Sequence, residues 1–456
     1  MSPDNDTICA VATPAGGALS IIRISGPDAV SIADRIFKPI SGVPLCEQKP
    51  YSICFGHIIG EDERILDEAM ASMFRAPHSY TGEDCVELSC HGSPYIVQQT
   101  IFGLLRNGCR QAGPGEFTQR AFLSGKMDLS QAEAVADLIA STSSATHRMA
   151  MNQLKGGFSR RLRELRDQLL QLTSLMELEL DFSEEDVQFA DRSQLGSLAS
   201  DIENTLSTLA SSFKTGNALR NGIPVAIVGR TNTGKSTLLN FLLNDDRALV
   251  SDIRGTTRDS IEDTSVIDGT LFRFIDTAGI RNSDDAVEQM GIERSFQKVS
   301  QAEIVLYLTD CSQPDTESDS ELESSITALC SEKTLIRIHN KCDLLTDVPE
   351  STDVNIYLSA KHEINTDFLK RSLTRCAPDL HLCSDEVTVT NARHFQAISN
   401  ALDCITRVRQ GLTDGTPSDL LSQDTRECIH HLSDILGEVT TDQVLQNIFS
   451  HFCIGK

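Results

Sequence analysis

Eight consecutive residues, Gly229-Arg-Thr-Asn-Thr-Gly-Lys-Ser236, have the spacing of a phosphate-gripping loop. The apolar run VAIV leads into them and the helix-forming run TLLNFLL follows. In that setting glycines let backbone N–H groups curl around a phosphate, and a helix N-terminus adds a favourable dipole. Lys235 would neutralise phosphate charge and the Ser236 hydroxyl would ligate Mg²⁺, with Asn232, Thr233, Gly234 and Thr237 completing the stretch. Further along, Asn340-Lys341-Cys342-Asp343 follows the apolar run LIRIH. A carboxylate at Asp343 can accept two hydrogen bonds from the N1 and N2 groups of guanine. Adenine has no matching donors and would leave a desolvated charge unpaired. Ser359-Ala360-Lys361, after VNIYL, fits a loop that buttresses the base. These residues together point to GTP.

Two fragments between them fit the same chemistry. Ser251, Asp252, Ile253 and Arg254 lead into Gly255-Thr256-Thr257-Arg-Asp259, where Thr257 is placed to complete a Mg²⁺ shell when a γ-phosphate is present. In Asp276-Thr277-Ala278-Gly279, Asp276 ends the run LFRFI and can reach Mg²⁺ through water, while the Gly279 N–H senses the γ-phosphate. Each fragment alone reads as a turn; the ordered set does not arise by chance. Many GTP hydrolases place a water-orienting glutamine after DTAG, but here the residue is Ile280, which can neither orient nor activate water. Glu288, in AVEQMGIER, is the candidate nearest in sequence, against the alternative of a surface helix carboxylate. No arginine finger is identifiable, although Arg254 and Arg258 flank the loop. Such a finger accelerates hydrolysis by ~10³–10⁵, or roughly 4–7 kcal/mol. Asn232 could instead offer its amide oxygen to a monovalent cation beside the phosphates.

The elements that must carry these loops alternate: apolar strands VAIV, LFRFID, IVLYLT, LIRIHN and VNIYLS are separated by helical segments, as in a mainly parallel sheet flanked by helices. Residues 1–120 mix short β-rich runs (ALSIIRIS, DCVELSC) with Gly/Pro turns, as an α+β domain does. Residues 121–216 turn helical, with apolar residues at three- and four-residue steps through LRELRDQLLQLTSLMELEL. The chain is helical again after 390. The expected organisation is one helical domain built from 121–216 and 382–456, with an α/β unit at 217–381 inserted into it. The fold class is multidomain α/β plus α.

Composition narrows the partners. The net charge of −25 repels RNA on average, so a nucleic-acid role needs a local basic patch or a partner that holds the RNA. The densest basic cluster, Lys155 to Arg166, reads ordinarily as a solvated helix face. No apolar run approaches the ~20 residues of a membrane span. The N-terminus lacks a secretion-signal layout, and a cytoplasmic protein is expected. Fourteen cysteines without CxxC pairs are expected to be reduced, mostly buried thiols rather than a metal cluster. The terminal Cys-Ile-Gly-Lys fits a prenylation box poorly.

Motifs outside the phosphate loops are more specific still: DTICAVATP, IIRISG, SYTGEDCVELSCHG, PGEFTQRAFLSGKMDLSQAEAVADLI and the terminal FCIGK. With these the chain resembles the tRNA modification GTPase family MnmE (also called TrmE) over essentially its whole length. The resemblance implies an N-terminal folate-binding and dimerisation domain, a discontinuous helical domain and an inserted Ras-like P-loop G domain. It implies a homodimer whose G domains pair in a K⁺-dependent manner, with Asn232, Ser251, Ile253 and Thr256 as K⁺ ligands and Glu288 as general base. It also implies a complex, heterotetrameric or larger, with the FAD protein MnmG. That complex installs an aminomethyl or carboxymethylaminomethyl group at C5 of the tRNA wobble uridine, with the tRNA held largely by the partner. The one-carbon unit comes from 5-formyl- or methylene-tetrahydrofolate, and Arg23, Glu83, Lys126 and Lys456 match the folate-binding positions. Basic side chains suit a folate's glutamate tail and a carboxylate suits the donor edge of its pterin. Departures are Thr231 where proline is usual, Ser251 where threonine is common, and AGGALS without its arginine. Cys453 has no base visible near it and reads as a structural or partly exposed thiol; His91 reads as packing locally.

Two rival readings differ in class. A GTPase switch for ribosome assembly would need an RNA-binding module, and no GXXG clamp sits in a basic domain. A folate-dependent methyltransferase with a merely regulatory GTPase would keep its transfer activity when hydrolysis is blocked.

Overall fold

The computed structural model describes residues 6–181, 192–244, 263–275, 299–313, 317–330, 333–376, 387–450, 452 and 454–455. It divides into two compact units. One comprises 1–136, 153–170 and 426–456; the other comprises 137–152 and 171–425.

The first unit is built on a seven-stranded sheet. Its strands are β1 (Thr7–Val11), β2 (Leu19–Ser25), β3 (Phe37–Pro39), β4 (Ile53–Ile59), β5 (Ile65–Phe74), β6 (Cys85–His91) and β7 (Cys109–Gln111), in the order β3-β4-β5-β6-β2-β1-β7. All pairs are antiparallel except β1 with β7. Period-two alternation explains the layering. In β2, Ile22 and Ile24 turn into a core shared with Val86 and Leu88 of β6 and with helices Ala29–Ile36 and Pro94–Arg106. On the opposite face, Arg23 stands across from Glu87. A second cluster joins Leu129 and Ala132 to Leu445 and Phe449 of the helix Asp442–Ser450. The basic cluster is largely spent on carboxylates: Arg163 donates to Asp128 at 2.9 Å and Arg166 to Glu438 at 2.7 Å.

The second unit holds a six-stranded sheet of β8 (Ile223–Gly229), β9 (Asp263–Ile267), β10 (Thr270–Phe274), β11 (Ile304–Asp310), β12 (Thr334–Asn340) and β13 (Asn355–Tyr357), ordered β13-β12-β11-β8-β10-β9. Its pairs are parallel except β9 with β10. The expected parallel sheet is therefore present. β8 and β11 are buried on both faces, which is why they read as continuous apolar runs rather than alternating ones. β9 went unread among the apolar runs. Its signal was Asp268-Gly269, a two-residue hairpin loop with φ of 50° and 80°. Helix Arg192–Asn221 leads into β8 and packs along Ala392–Asp414, with Phe213 and Phe395 stacked 4.3 Å apart. No helix among the described residues is long and apolar enough to cross a membrane. The twelve described cysteines are free, and nine are buried.

Candidate nucleotide and folate sites

β8 ends at Gly229, and after a five-residue loop the helix Lys235–Asn244 begins, so the loop sits at the carboxyl end of a central parallel strand. Open α/β sheets bind ligands there. Two backbone features set the loop. Asn232 is left-handed at φ 63°, and Gly234 has φ 97°. A Cβ on Gly234 would lie 2.2 Å from Asn340 Nδ2, so no side chain fits. Asn340, 3% exposed, uses that amide to donate to Thr233 O at 2.8 Å, and its Oδ1 accepts from Ala360 N at 3.0 Å. One buried side chain thus ties the phosphate loop to both base-side loops. Thr233 Oγ1 closes the turn onto Arg230 O at 2.9 Å.

Lys235 Nζ donates to Gly229 O at 2.8 Å and to Arg230 O. Its ammonium is thereby held at the mouth of the loop beside the helix N-terminus, where Ser236 and Thr237 stand in the first turn. An ammonium, two hydroxyls and the amides of a helix N-terminus are a donor set for a polyphosphate, and a serine hydroxyl such as that of Ser236 can ligate Mg²⁺. The residues fit that group.

On the base side, Asp343 lies in the short turn Cys342–Leu344. A hydrogen bond from the buried Ser359 is the main reason its carboxyl is held below the usual range, so it is an anion at neutral pH. His362 Nε2 lies 3.7 Å away, and Lys361 is exposed in the same loop. Lys341, left-handed at φ 65°, reaches Asp310 Oδ2 with its Nζ at 2.5 Å. Burial pushes Asp310 up, but bonds from Lys341 and Ser312 outweigh it and its pKa is lowered. Asp310 was not singled out from sequence; its place at the end of β11, paired with Asn340, is the signal that could have found it.

Ser251, Asp252, Ile253, Arg254, Gly255, Thr256, Thr257, Asp276, Thr277, Ala278, Gly279 and Glu288 lie outside the described residues, as do Cys453 and Lys456.

In the first unit, two of the four folate candidates, Arg23 and Lys126, contact the segment from Pro77 to Asp84, and a third, Glu83, belongs to it. Glu83 accepts from Ser25 Oγ at 2.7 Å, and Ser25 also meets Thr81 Oγ1 at 2.7 Å. Lys126 Nζ donates to Pro77 O at 2.9 Å, and Ser124 Oγ to Thr81 O at 2.6 Å. Arg23 lies over the Tyr80 ring, 5.1 Å from its centroid, and donates to Glu87 at 2.8 Å. The chain's end joins them. Ile454 bridges to Pro114, and Gly455 O accepts from Arg23 Nη1 at 3.4 Å. At φ 95°, with a Cβ position 2.2 Å from Val11 O, only glycine fits at 455. A surface that gathers two cations, a carboxylate and an aromatic ring has the donor set for a reduced folate. Burial pushes the neighbouring Cys85 thiol up to about 12 and Cys90 to about 11, so neither is a thiolate at neutral pH. His91 does bond locally, through Nδ1 to Asp67 at 2.8 Å.

A phosphate loop at the end of a buried parallel strand, tied by Asn340 to a guanine-type base loop, defines a P-loop GTPase. Residues 7–126 match the family described as the GTP-binding protein TrmE N-terminus, and residues 129–453 match the MnmE helical domain. The tRNA modification GTPase MnmE of Bacteroides thetaiotaomicron is 56% identical over 466 residues, spanning 99% of this chain and 100% of its own. That of Parabacteroides distasonis is 55% identical over 462 residues, with the same coverage of both chains. The one from Flavobacterium johnsoniae is 50% identical over 466 residues, again with 99% and 100% covered. The chain belongs to the tRNA modification GTPase MnmE family.

Proposed function

We propose that this protein hydrolyses GTP at the Lys235 loop and couples that hydrolysis to modification of the tRNA wobble uridine, with a tetrahydrofolate one-carbon unit bound in its N-terminal region. The observation that carries the nucleotide half is the Asn340 tie, which joins phosphate loop and base loops into one site. Asn232 to Thr237 hold the phosphates, and Asn340, Lys341, Asp343 and Ser359 to Lys361 hold the guanine. Ser236 and Thr257 hold Mg²⁺, which when bound spreads the charge that develops on the phosphoryl oxygens. Asn232, Ser251, Ile253 and Thr256 hold K⁺. Ser251 to Thr257 and Asp276 to Gly279 also bind the GTP, with the Gly279 N–H at the γ-phosphate. Glu288 takes the proton from the attacking water, a role that Ile280 cannot fill.

In the N-terminal region Arg23, Glu83, Lys126 and Lys456 hold the folate. The cluster of Arg23, Glu83 and Lys126 about one loop supports this reading, as does the Arg23 bond to Gly455, next to Lys456. The domain reading that goes with it is 1–120 for folate binding and dimerisation, 121–216 with 382–456 for the helical domain, and 217–381 for the G domain. The partners are a second copy, the FAD protein MnmG and tRNA, in the cytoplasm. The high negative charge supports leaving most of the tRNA contact to the partner.

The deciding measurement is GTPase rate in KCl against NaCl at equal ionic strength, expected to be strongly K⁺-dependent. Equal rates would remove the cation site. Glu288→Ala is expected to keep GTP binding and lose both hydrolysis and tRNA modification; full modification in that variant would uncouple the two halves.

A further inference from the structure

Arg120, in the helix Glu116–Leu123, has no phosphate or folate role assigned above, yet its side chain is only 6% exposed and meets three carboxylates. Nη2 donates to Asp6 Oδ1 at 2.6 Å and to Glu116 Oε1 at 3.1 Å. Nη1 donates to Asp6 O at 2.9 Å and to Glu83 Oε1 and Oε2 at 3.1 and 3.3 Å. Arg110 takes the outer side of the same network, bonding Asp6 at 2.6 Å and Glu116 at 2.5 Å. A purely structural anchor would be complete with Asp6 and Glu116. The bonds to Glu83 are the ones that reach the ligand face. Glu83 is gripped there by Arg120 and Ser25, while a quarter of its side chain stays exposed, leaving acceptor capacity for an incoming donor.

We propose that Arg120 is a positioning residue for folate binding, holding Glu83 in one orientation so that its exposed acceptor sites meet the N–H groups of a pterin edge. The inference rests on the folate reading of the same surface. Pre-orientation matters because a carboxylate that must be ordered at the moment of binding takes that cost out of affinity. Without Arg120 the Glu83 carboxylate keeps the bond from Ser25 but loses the guanidinium that meets both its oxygens.

The test is 5-formyltetrahydrofolate affinity of the full-length protein by calorimetry, with GDP affinity as the folding control. Arg120→Met is expected to bind roughly 10–100-fold more weakly. Arg120→Lys keeps the charge but cannot serve Asp6 and Glu83 together, so it is expected to restore affinity in part, between Arg120→Met and the unaltered protein. Unchanged affinity in either variant overturns the proposal, as does a loss in Arg120→Lys as large as that in Arg120→Met. If Arg120→Met does not fold, Arg120→Lys decides alone. Glu83→Gln separates the layers. If it binds folate normally, the folate reading fails; if it loses binding while the Arg120 variants do not, only the positioning role fails.

Discussion

The surroundings of Lys235 and of Glu83 are both places where a charged ligand could be met, but they are built from different materials. Around Lys235 the groups that set the geometry are backbone: two glycines and a left-handed asparagine, a helix N-terminus, and carbonyls that hold the lysine. Around Glu83 they are side chains brought from β2, the loop after β5 and the helix Glu116–Leu123. A backbone cradle is intolerant of an added atom, whereas a side-chain cluster is intolerant of a removed charge. The two regions are therefore expected to fail under opposite kinds of substitution.

The largest expected effect attacks the backbone. Gly234→Ala places a Cβ 2.2 Å from Asn340 Nδ2 and forces a non-glycine residue to φ 97°. The strain, of the order of 1–3 kcal/mol, adds to loss of the buried Asn340–Thr233 bond at about 1 kcal/mol or more. GTP affinity, read by fluorescence of a labelled nucleotide, should fall roughly 100-fold, with 5-formyltetrahydrofolate affinity unchanged. Wild-type nucleotide affinity would break the contrast. Next comes Asp343→Asn, which removes one charge and leaves the cradle intact. It should weaken GTP by roughly 10–100-fold and admit xanthosine triphosphate in its place. Unchanged preference for GTP would mean that base recognition lies elsewhere.

The same difference in materials decided what could be read from residue order. A backbone cradle leaves a contiguous trace, so GRTNTGKS, NKCD and SAK were legible, together with the apolar runs that became β8, β11 and β12. Asn340 was legible as part of a base-recognition motif but not as the buried tie between loops, because its partners Thr233 and Ala360 are far off in sequence. Arg120 was legible only as one letter of the motif PGEFTQRAFLSGKMDLSQAEAVADLI, with no role attached. An arginine at helical spacing in EFTQRAFL reads as a surface charge until the fold brings Asp6 and Glu83 to it. Asp310 escaped for a similar reason, since its role depends on β11 lying beside β12. The open-sheet alternation of β4 and β5 was missed in a stretch where exposed Ile53, Phe55 and Met70 blur the pattern.

A smaller effect, on stability, sharpens the side-chain half of the contrast. Burial pushes Asp6 and Glu116 up, yet their bonds to Arg110 and Arg120 outweigh it and hold both carboxyls below the ordinary carboxylate range. A depressed folded pKa means that the unfolded chain binds more protons over that interval, so stability is complete above the unfolded values and falls as pH drops below them. Denaturant unfolding of the first unit should thus weaken progressively below about pH 4.5. In Arg120→Met that pH dependence should shrink, with stability at neutral pH lower by only about 1–2 kcal/mol, because Asp6 and Glu83 are part-exposed. An unaltered acid profile would show that the carboxylates are not held by the arginines.

The smallest expected effect lies where the two materials meet. Lys341 is a backbone oddity, left-handed without being glycine, and its side chain is directed by a carboxylate, Asp310. In Asp310→Asn the amide can still accept a bond but carries no charge, so Lys341 loses its directing partner while the turn is kept. Lys341 is a third exposed, and solvent screening limits such a pair to about 0.5–1 kcal/mol. Nucleotide affinity should therefore fall only about 2–5-fold, and equally for guanosine and xanthosine triphosphates, because an apolar lysine stem beside a purine face does not distinguish their edges. That equal loss separates Asp310 from Asp343, whose replacement should reverse the preference. A change in preference in Asp310→Asn would instead place Asp310 in base recognition itself, and the boundary between cradle and charge cluster would have to be redrawn through the nucleotide site.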